Sequence, residues 1–155
     1  MIKYKDNEVI SIENSALKKY ISKENESIIK IMEKLNNTEE KFQVVIDKKG
    51  CVIGSITDGD IRRALINKIK LEDSAKKCMN LNPLLGKTSD DKENYIKINQ
   101  VDRFPIFLPI VNSGLKLESI LIKKEKIGIR NAILMAGGMG KRLGDLTKNT
   151  PKPML

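Results

Sequence analysis

The strongest constraint on the fold is that the body of the chain reads as an imperfect repeat of one unit. Residues 44–57 read V-V-I-D-K-K-G-C-V-I-G-S-I-T, and residues 108–122 read L-P-I-V-N-S-G-L-K-L-E-S-I-L-I. An apolar run, a short set of turn residues and a second apolar run describe two strands joined by a tight turn. A repeated unit matters because a unit that cannot bury its own core must be completed by its neighbour. At about 50 residues one copy buries too little to stand alone. Two copies stacked through their sheets make one α/β (α+β) domain, each a small sheet with flanking helices.

The flanking residues complete each copy. In the first, Tyr20 and Ile21 read as a short extended piece, and residues 22–25 offer helix caps. Ile28, Ile29, Met32 and Leu35 then form an apolar stripe at helical spacing and are expected in the core. Asn36, Asn37 and Thr38 end that helix. Residues 42–46 and 51–56 are expected strands around a D-K-K-G turn, and Thr57-Asp58 caps a helix carrying Ile61, Ala64 and Leu65. In the second copy, Leu84-Leu85 is the short strand and residues 89–91 cap a helix with Tyr95, Ile96 and Ile98. Residues 104–111 and 117–122 are the paired strands. With one residue deleted in the second turn, Thr57 falls over Leu121 and Asp60 over Lys124.

A T-D-G-D segment that opens a helix directly after a strand is a chemically sensible ligand site. The helix N-terminus presents unpaired amide hydrogens and the positive end of the dipole. A threonine hydroxyl can bond a phosphate or ribose oxygen, and an aspartate can accept both ribose hydroxyls. Arg62 and Arg63 could neutralise phosphate or project into a contact between copies. The competing reading is that Asp58 and Asp60 only cap the helix, as acids in a first turn do.

Residues 44–63, V-V-I-D-K-K-G-C-V-I-G-S-I-T-D-G-D-I-R-R, with their echo at 108–122, resemble a tandem pair of CBS domains. That family is a regulatory module that binds adenosine-containing ligands in clefts between its repeats. The resemblance implies a ligand site at Thr57, Asp58 and Asp60, facing main-chain groups near 82–85, with an adenine nucleotide as the default ligand and a nucleotide-sugar as the alternative. The second copy, with Leu121 and Lys124 at the matching positions, should lack a standard site. The resemblance further implies a homodimer formed through the helix after Thr57 and the helix near Tyr95. The T-D-G-D-I-R-R segment also resembles the CBS segment of arabinose 5-phosphate-type isomerases.

The last residues carry a second signature. An apolar run at 132–136 precedes Gly137, Gly138 and Gly140, then Lys141 and Arg142, and Lys152 stands between two prolines. Glycines let a backbone approach a ligand closely, and cations beside such a loop suit phosphates. The segment G-G-M-G-K-R-L followed by L-T-K-N-T-P-K-P-M-L resembles the N-terminal signature of sugar-phosphate nucleotidyltransferases. Asp145 stands where that family usually has proline. The resemblance implies that Gly137, Gly138 and Gly140 wrap the nucleotide and that Arg142 and Lys152 contact phosphate in the catalytic centre. It implies Mg²⁺ as well, held by carboxylates outside this chain. The match covers only residues 131–155, and a nucleotide-binding α/β domain needs roughly 100 to 200 residues. The chain is therefore expected to be a lead-in (1–16), two repeats (17–70 and 71–127) and the truncated start of a Rossmann-like catalytic domain (128–155), without catalytic activity by itself.

Composition narrows the alternatives. The chain has 40% hydrophobic and 32% charged residues, as a globular domain does. With no histidine, a zinc site or a histidine-based catalytic triad is not expected. The net charge of +9 comes mostly from dispersed lysines, and only 4% of residues are aromatic. A nucleic-acid partner would favour a basic patch with stacking aromatics. No run approaches the ~18 apolar residues of a membrane helix. Cys51 and Cys78 read as small buried hydrophobes, and the expected compartment is the cytoplasm. The rival to a ligand sensor is a ligand-free assembly module that dimerises its parent enzyme; a natural, binding-only short protein is a third reading.

Overall fold

The computed structural model describes residues 9–124. The chain divides into two units, Met1–Glu125 and Lys126–Leu155, and the described residues all lie in the first. Among the described residues, seven strands form two sheets. Strands β2 (Ile21–Lys23), β3 (Phe42–Ile46) and β4 (Val52–Thr57) make one, in that order. Strands β1 (Val9–Ile12), β5 (Gly86–Lys87), β6 (Phe107–Val111) and β7 (Leu117–Lys123) make the other, in the order β1-β7-β6-β5. Both are mixed: β2–β3 and β5–β6 run parallel, β3–β4 and β6–β7 antiparallel. Helix α1 (Ile28–Asn36) supplies the crossover in the first copy and α3 (Asp91–Gln100) in the second, while α2 (Asp58–Ile66) follows β4.

The two hairpins match residue for residue. Phe42 faces Thr57 and Phe107 faces Ile122; Ile46 faces Val52 and Val111 faces Leu117. Each ladder shifts register once, between Val45 and Ile46 and between Ile110 and Val111. Each turn closes alike: Asp47 N–H donates to Cys51 C=O at 2.9 Å, and Asn112 N–H to Lys116 C=O at 3.1 Å. Even the left-handed residue recurs, Gly50 at φ 84° and Leu115 at φ 61°. The second turn has therefore lost no residue. The expected deletion is corrected: Ile122, not Leu121, stands where Thr57 stands. The counterpart of Asp60 falls one position past Lys124, outside the described residues.

Strands with both faces covered explain the near-continuous apolar runs. Phe42 and Val44 face a cluster with Leu17, Tyr20, Val52, Val111, Ile120 and Ile122, drawn from both sheets. Val45 and Ile56 face the other way, onto Ile28, Ile31 and Leu35 of α1 and Ile61 of α2. Ile98 of α3 covers Leu108, Ile110, Leu121 and Val9. The copies also exchange backbone. β1 pairs antiparallel with β7 of the second copy, Val9 opposite Lys123. In return, residues around Asn80 bridge β4 of the first, with Asn80 N–H donating to Ser55 C=O at 2.8 Å and Ser55 N–H to Asn80 C=O at 3.1 Å. Gly54 makes that approach geometrically feasible, because a Cβ there would stand 2.8 Å from the Asn80 oxygen.

Helix α1 presents a different face from the one its spacing suggested. Ile28, Ile31 and Leu35 are buried, whereas Ile29 and Met32 are 45% and 39% exposed. Cys51 and Cys78 are only half-buried. Among the described residues no helix is long and apolar enough to cross a membrane.

Candidate functional site

The end of β4 and the start of α2 hold the T-D-G-D segment by its own side chains. Thr57, in an extended conformation (φ −122°, ψ 169°), is the N-cap of α2. The Asp60 carboxylate reaches back to it. Oδ2 accepts from the Thr57 backbone N–H at 2.8 Å and from the Thr57 hydroxyl at 2.7 Å. Oδ1 accepts from Arg63 Nη2 at 2.7 Å, one turn further along the helix. This is a capping box, which pairs otherwise orphaned polar groups at the start of α2. The capping reading of Asp60 is thus present in the structure, and the same arrangement aims Thr57 and Asp60 into a cleft.

That cleft has a volume of about 510 Å³, within the range of small-molecule sites. Its floor is Ser55, Thr57, Asp58, Gly59 and Asp60 of the first copy. Asn80, Pro83 and Leu84 form the wall delivered by the backbone exchange. The far side is the segment between α3 and β6, Val101, Arg103, Phe104 and Pro105, with Phe107 behind it. Lys41, Arg62 and Arg63 complete the rim with Arg103, so that four cations face the two acids Asp58 and Asp60. A net positive cleft with low-dielectric walls concentrates anions. At the helix start, a Cβ on Gly59 would meet the Arg63 guanidinium at 3.4 and 3.8 Å and the Thr57 Oγ1 at 3.6 Å, so the Arg63 side chain lies against the first turn of α2.

The structure brings Thr57, Asp58 and Asp60 together, and it places the facing wall at Asn80, Pro83 and Leu84, where main-chain groups near 82–85 were expected. Lys41, Arg103 and Phe104 were not anticipated. Phe104 had been read into a strand, but β6 begins only at Phe107. The signal was Pro105, which has no N–H for a ladder and favours a non-strand segment. Gly137, Gly138, Gly140, Arg142 and Lys152 lie outside the described residues. Among the described residues no group of three or more Cys, Asp or Glu side chains is placed to hold a metal ion.

Beside the site, burial and the nearby Asp60 carboxylate push the Cys78 thiol up to about 11. On the core side, burial and the Glu40 carboxylate, which accepts from the phenol at 2.6 Å, hold Tyr20 above the usual tyrosine range.

No protein-family model matches the sequence, and neither does any curated protein. Solved structures do resemble the fold. CBSX2 in complex with AMP superposes with a TM-score of 0.55 at 24% identity, over 66% of this chain and 79% of that one. The cytosolic domain of the Mg²⁺ channel MgtE in complex with ATP gives 0.54 at 19% identity, over 67% of this chain and 42% of that one. Protein MJ1225 from Methanocaldococcus jannaschii gives 0.56 at 21% identity, over 66% and 42%. At these identities the likeness establishes the fold: a CBS pair, with two small mixed sheets and flanking helices.

Proposed function

We propose that this CBS pair is a regulatory, ligand-sensing module that takes one adenine nucleotide in the cleft at the start of α2. The observation that carries the reading is the convergence of three chemistries in one cleft. Thr57 and Asp60 offer an acceptor and a hydroxyl for a ribose diol, and Asp58 stands beside them. Lys41, Arg62, Arg63 and Arg103 offer charge for phosphates, and Pro83, Leu84 and Phe104 offer apolar surface for a base. CBSX2 and MgtE, which share the fold, are complexes with AMP and ATP. In the second copy Ile122 stands at the place of Thr57 and has no hydroxyl, which favours a single site. A nucleotide-sugar would use the same groups.

From the resemblance of residues 131–155 to sugar-phosphate nucleotidyltransferases we further propose that the module would be the regulatory part of such an enzyme. Gly137, Gly138, Gly140, Arg142 and Lys152 would act in the parent, which would use Mg²⁺. The domains would then be the repeats at 17–70 and 71–127 and the catalytic start at 128–155, with the compartment cytoplasmic. Thermal melts of the 155-residue chain with adenosine, guanosine, cytidine and uridine nucleotides test the sensor. A ligand that binds only the fold raises the melting temperature with the logarithm of one plus its concentration over Kd. A rise with AMP or ATP is expected; no rise with any nucleotide would remove the sensing role.

An assembly role has its own observation. Ile29, Met32 and Leu65 are exposed large hydrophobics. Met32 and Leu65 border a groove between α1 and α2 with Ile61. A self-complementary twofold contact is the commonest way to cover such a face. Light scattering should give a dimer at tens of micromolar by this reading, and a concentration-independent monomer would oppose it.

A further inference from the structure

Resting on the nucleotide reading of the cleft, we infer that Arg63 is a displaceable cover on Asp60, and that it makes recognition depend on the ligand's phosphate. Three of the roughly four acceptor positions of the Asp60 carboxylate are in use, and a ribose diol, which donates two hydrogen bonds, needs one more than is open. Oδ2 takes two hydrogen bonds from Thr57, and Oδ1 takes the Arg63 guanidinium at 2.7 Å. The Thr57 bonds are part of the cap and stay with the helix. The Arg63 bond is different. Its side chain is 69% exposed while that of Asp60 is 12% exposed, so the guanidinium lies over the carboxylate from the solvent side. The guanidinium is thus open to exchange from the solvent side, whereas the carboxylate beneath it is not.

Arg63 also lies over the first turn of α2, its Nη1 3.4 Å from where a Gly59 Cβ would be. That is the position from which a guanidinium can turn from Asp60 to an anion at the helix N-terminus. A nucleoside must remove Arg63 from Oδ1 and offers it nothing. A nucleoside phosphate offers a new partner with bidentate geometry, so one motion uncovers the ribose site and engages the phosphate. Arg63 is thus a specificity-determining residue for phosphorylated over unphosphorylated ligands.

Calorimetry of the 155-residue chain with AMP and with adenosine tests this. In Arg63→Ala, AMP should bind about tenfold more weakly for want of a charged hydrogen bond. Adenosine should bind about two- to fivefold more tightly, since the covering pair is gone. Arg63→Lys should restore most of the AMP affinity, while Arg62→Ala should weaken AMP without strengthening adenosine. Equal changes for both ligands in Arg63→Ala, with AMP still bound by the unaltered chain, would overturn this inference and leave the nucleotide site standing. An unaltered chain that binds neither ligand would overturn the nucleotide site itself, and the inference with it.

Discussion

Phe42 stacks face to face on Phe107, with ring centroids 4.0 Å apart and planes 3° from parallel. The two residues hold the same position in the two hairpins, opposite Thr57 and Ile122 respectively. Tyr20 stacks on Phe42 as well, at 5.0 Å. The contact joins the sheets of the two copies, and Phe107 lines the cleft. What makes one domain out of two repeats therefore also backs the site.

Removing the Phe42 ring should cost heavily. It is fully buried, and truncation would lose its transfer free energy and leave a cavity between the sheets. Phe42→Ala should reduce unfolding stability by about 3–5 kcal/mol, read from urea denaturation. A loss below about 1 kcal/mol would mean that the sheets are held together elsewhere.

Asn94 is the least expected member of the core. It is buried in α3, and its amide acts as a strand partner for β5. The side-chain oxygen accepts from Lys87 N–H at 2.9 Å, and the side-chain nitrogen donates to Lys87 C=O at 2.6 Å. Gly86 has no room for a side chain, because a Cβ there would collide with the Asn94 oxygen and the Ile110 methyl. Asn94→Ala leaves both Lys87 groups without that partner. The expected destabilisation is about 1–3 kcal/mol. Equal stability of Asn94→Ala and the unaltered chain in denaturant would contradict this role.

Cys78 gives a pH-dependent readout. Burial, then the Asp60 charge, raise its thiol from 9.0 to about 11. A thiol with a raised pKa favours the fold in its protonated form. Its contribution to stability is therefore intact below pH 9 and lost as pH rises toward about 11. At pH 8 its thiolate fraction should be on the order of a hundredfold below that of an unfolded chain. Iodoacetamide labelling followed by peptide mass mapping should show correspondingly slow modification of Cys78 in the native protein. Equal rates in native and urea-unfolded protein would refute this environment.

Much of this architecture was legible because local chemistry and fold agree. The strand at 42–46, a helix carrying Ile28 and Leu35 and the capping Thr57-Asp58 were readable from apolar runs and turn residues. The caps expected at 22–25 were not found there, since Ile21–Lys23 is strand β2 and Ser27 is the N-cap of α1. The buried face of α1 was not readable, because Ile28, Ile29, Ile31, Met32 and Leu35 allow two overlapping helical stripes. Only packing against Val45 and Ile56 selects Ile31 over Met32. Strand β1 was hidden in the lead-in, since its partner lies more than a hundred residues away at Lys123. The turn lengths misled because Leu115 adopts the left-handed conformation that Gly50 takes in the first copy. Bulk and branching usually keep such a residue out of that region, so Gly114 was aligned with Gly50 instead. At the site, Thr57 and Asp60 were visible as a spacing, whereas Arg103 and Phe104 reach it only through the tertiary fold.

The central claim is a single nucleotide site built on Asp60, and titration calorimetry with AMP at low salt tests it most directly. The account predicts one site per 155-residue chain, weakened by added salt because phosphate charge contributes. Asp60→Ala also removes a helix cap worth about 0.5–2 kcal/mol, so its fold is to be verified by circular dichroism at the titration temperature. In the folded variant the loss of charged hydrogen bonds to ribose should weaken AMP by roughly 10- to 150-fold. An absence of binding heat across adenosine, guanosine, cytidine and uridine nucleotides, or an Asp60→Ala affinity equal to that of the unaltered chain, would contradict it.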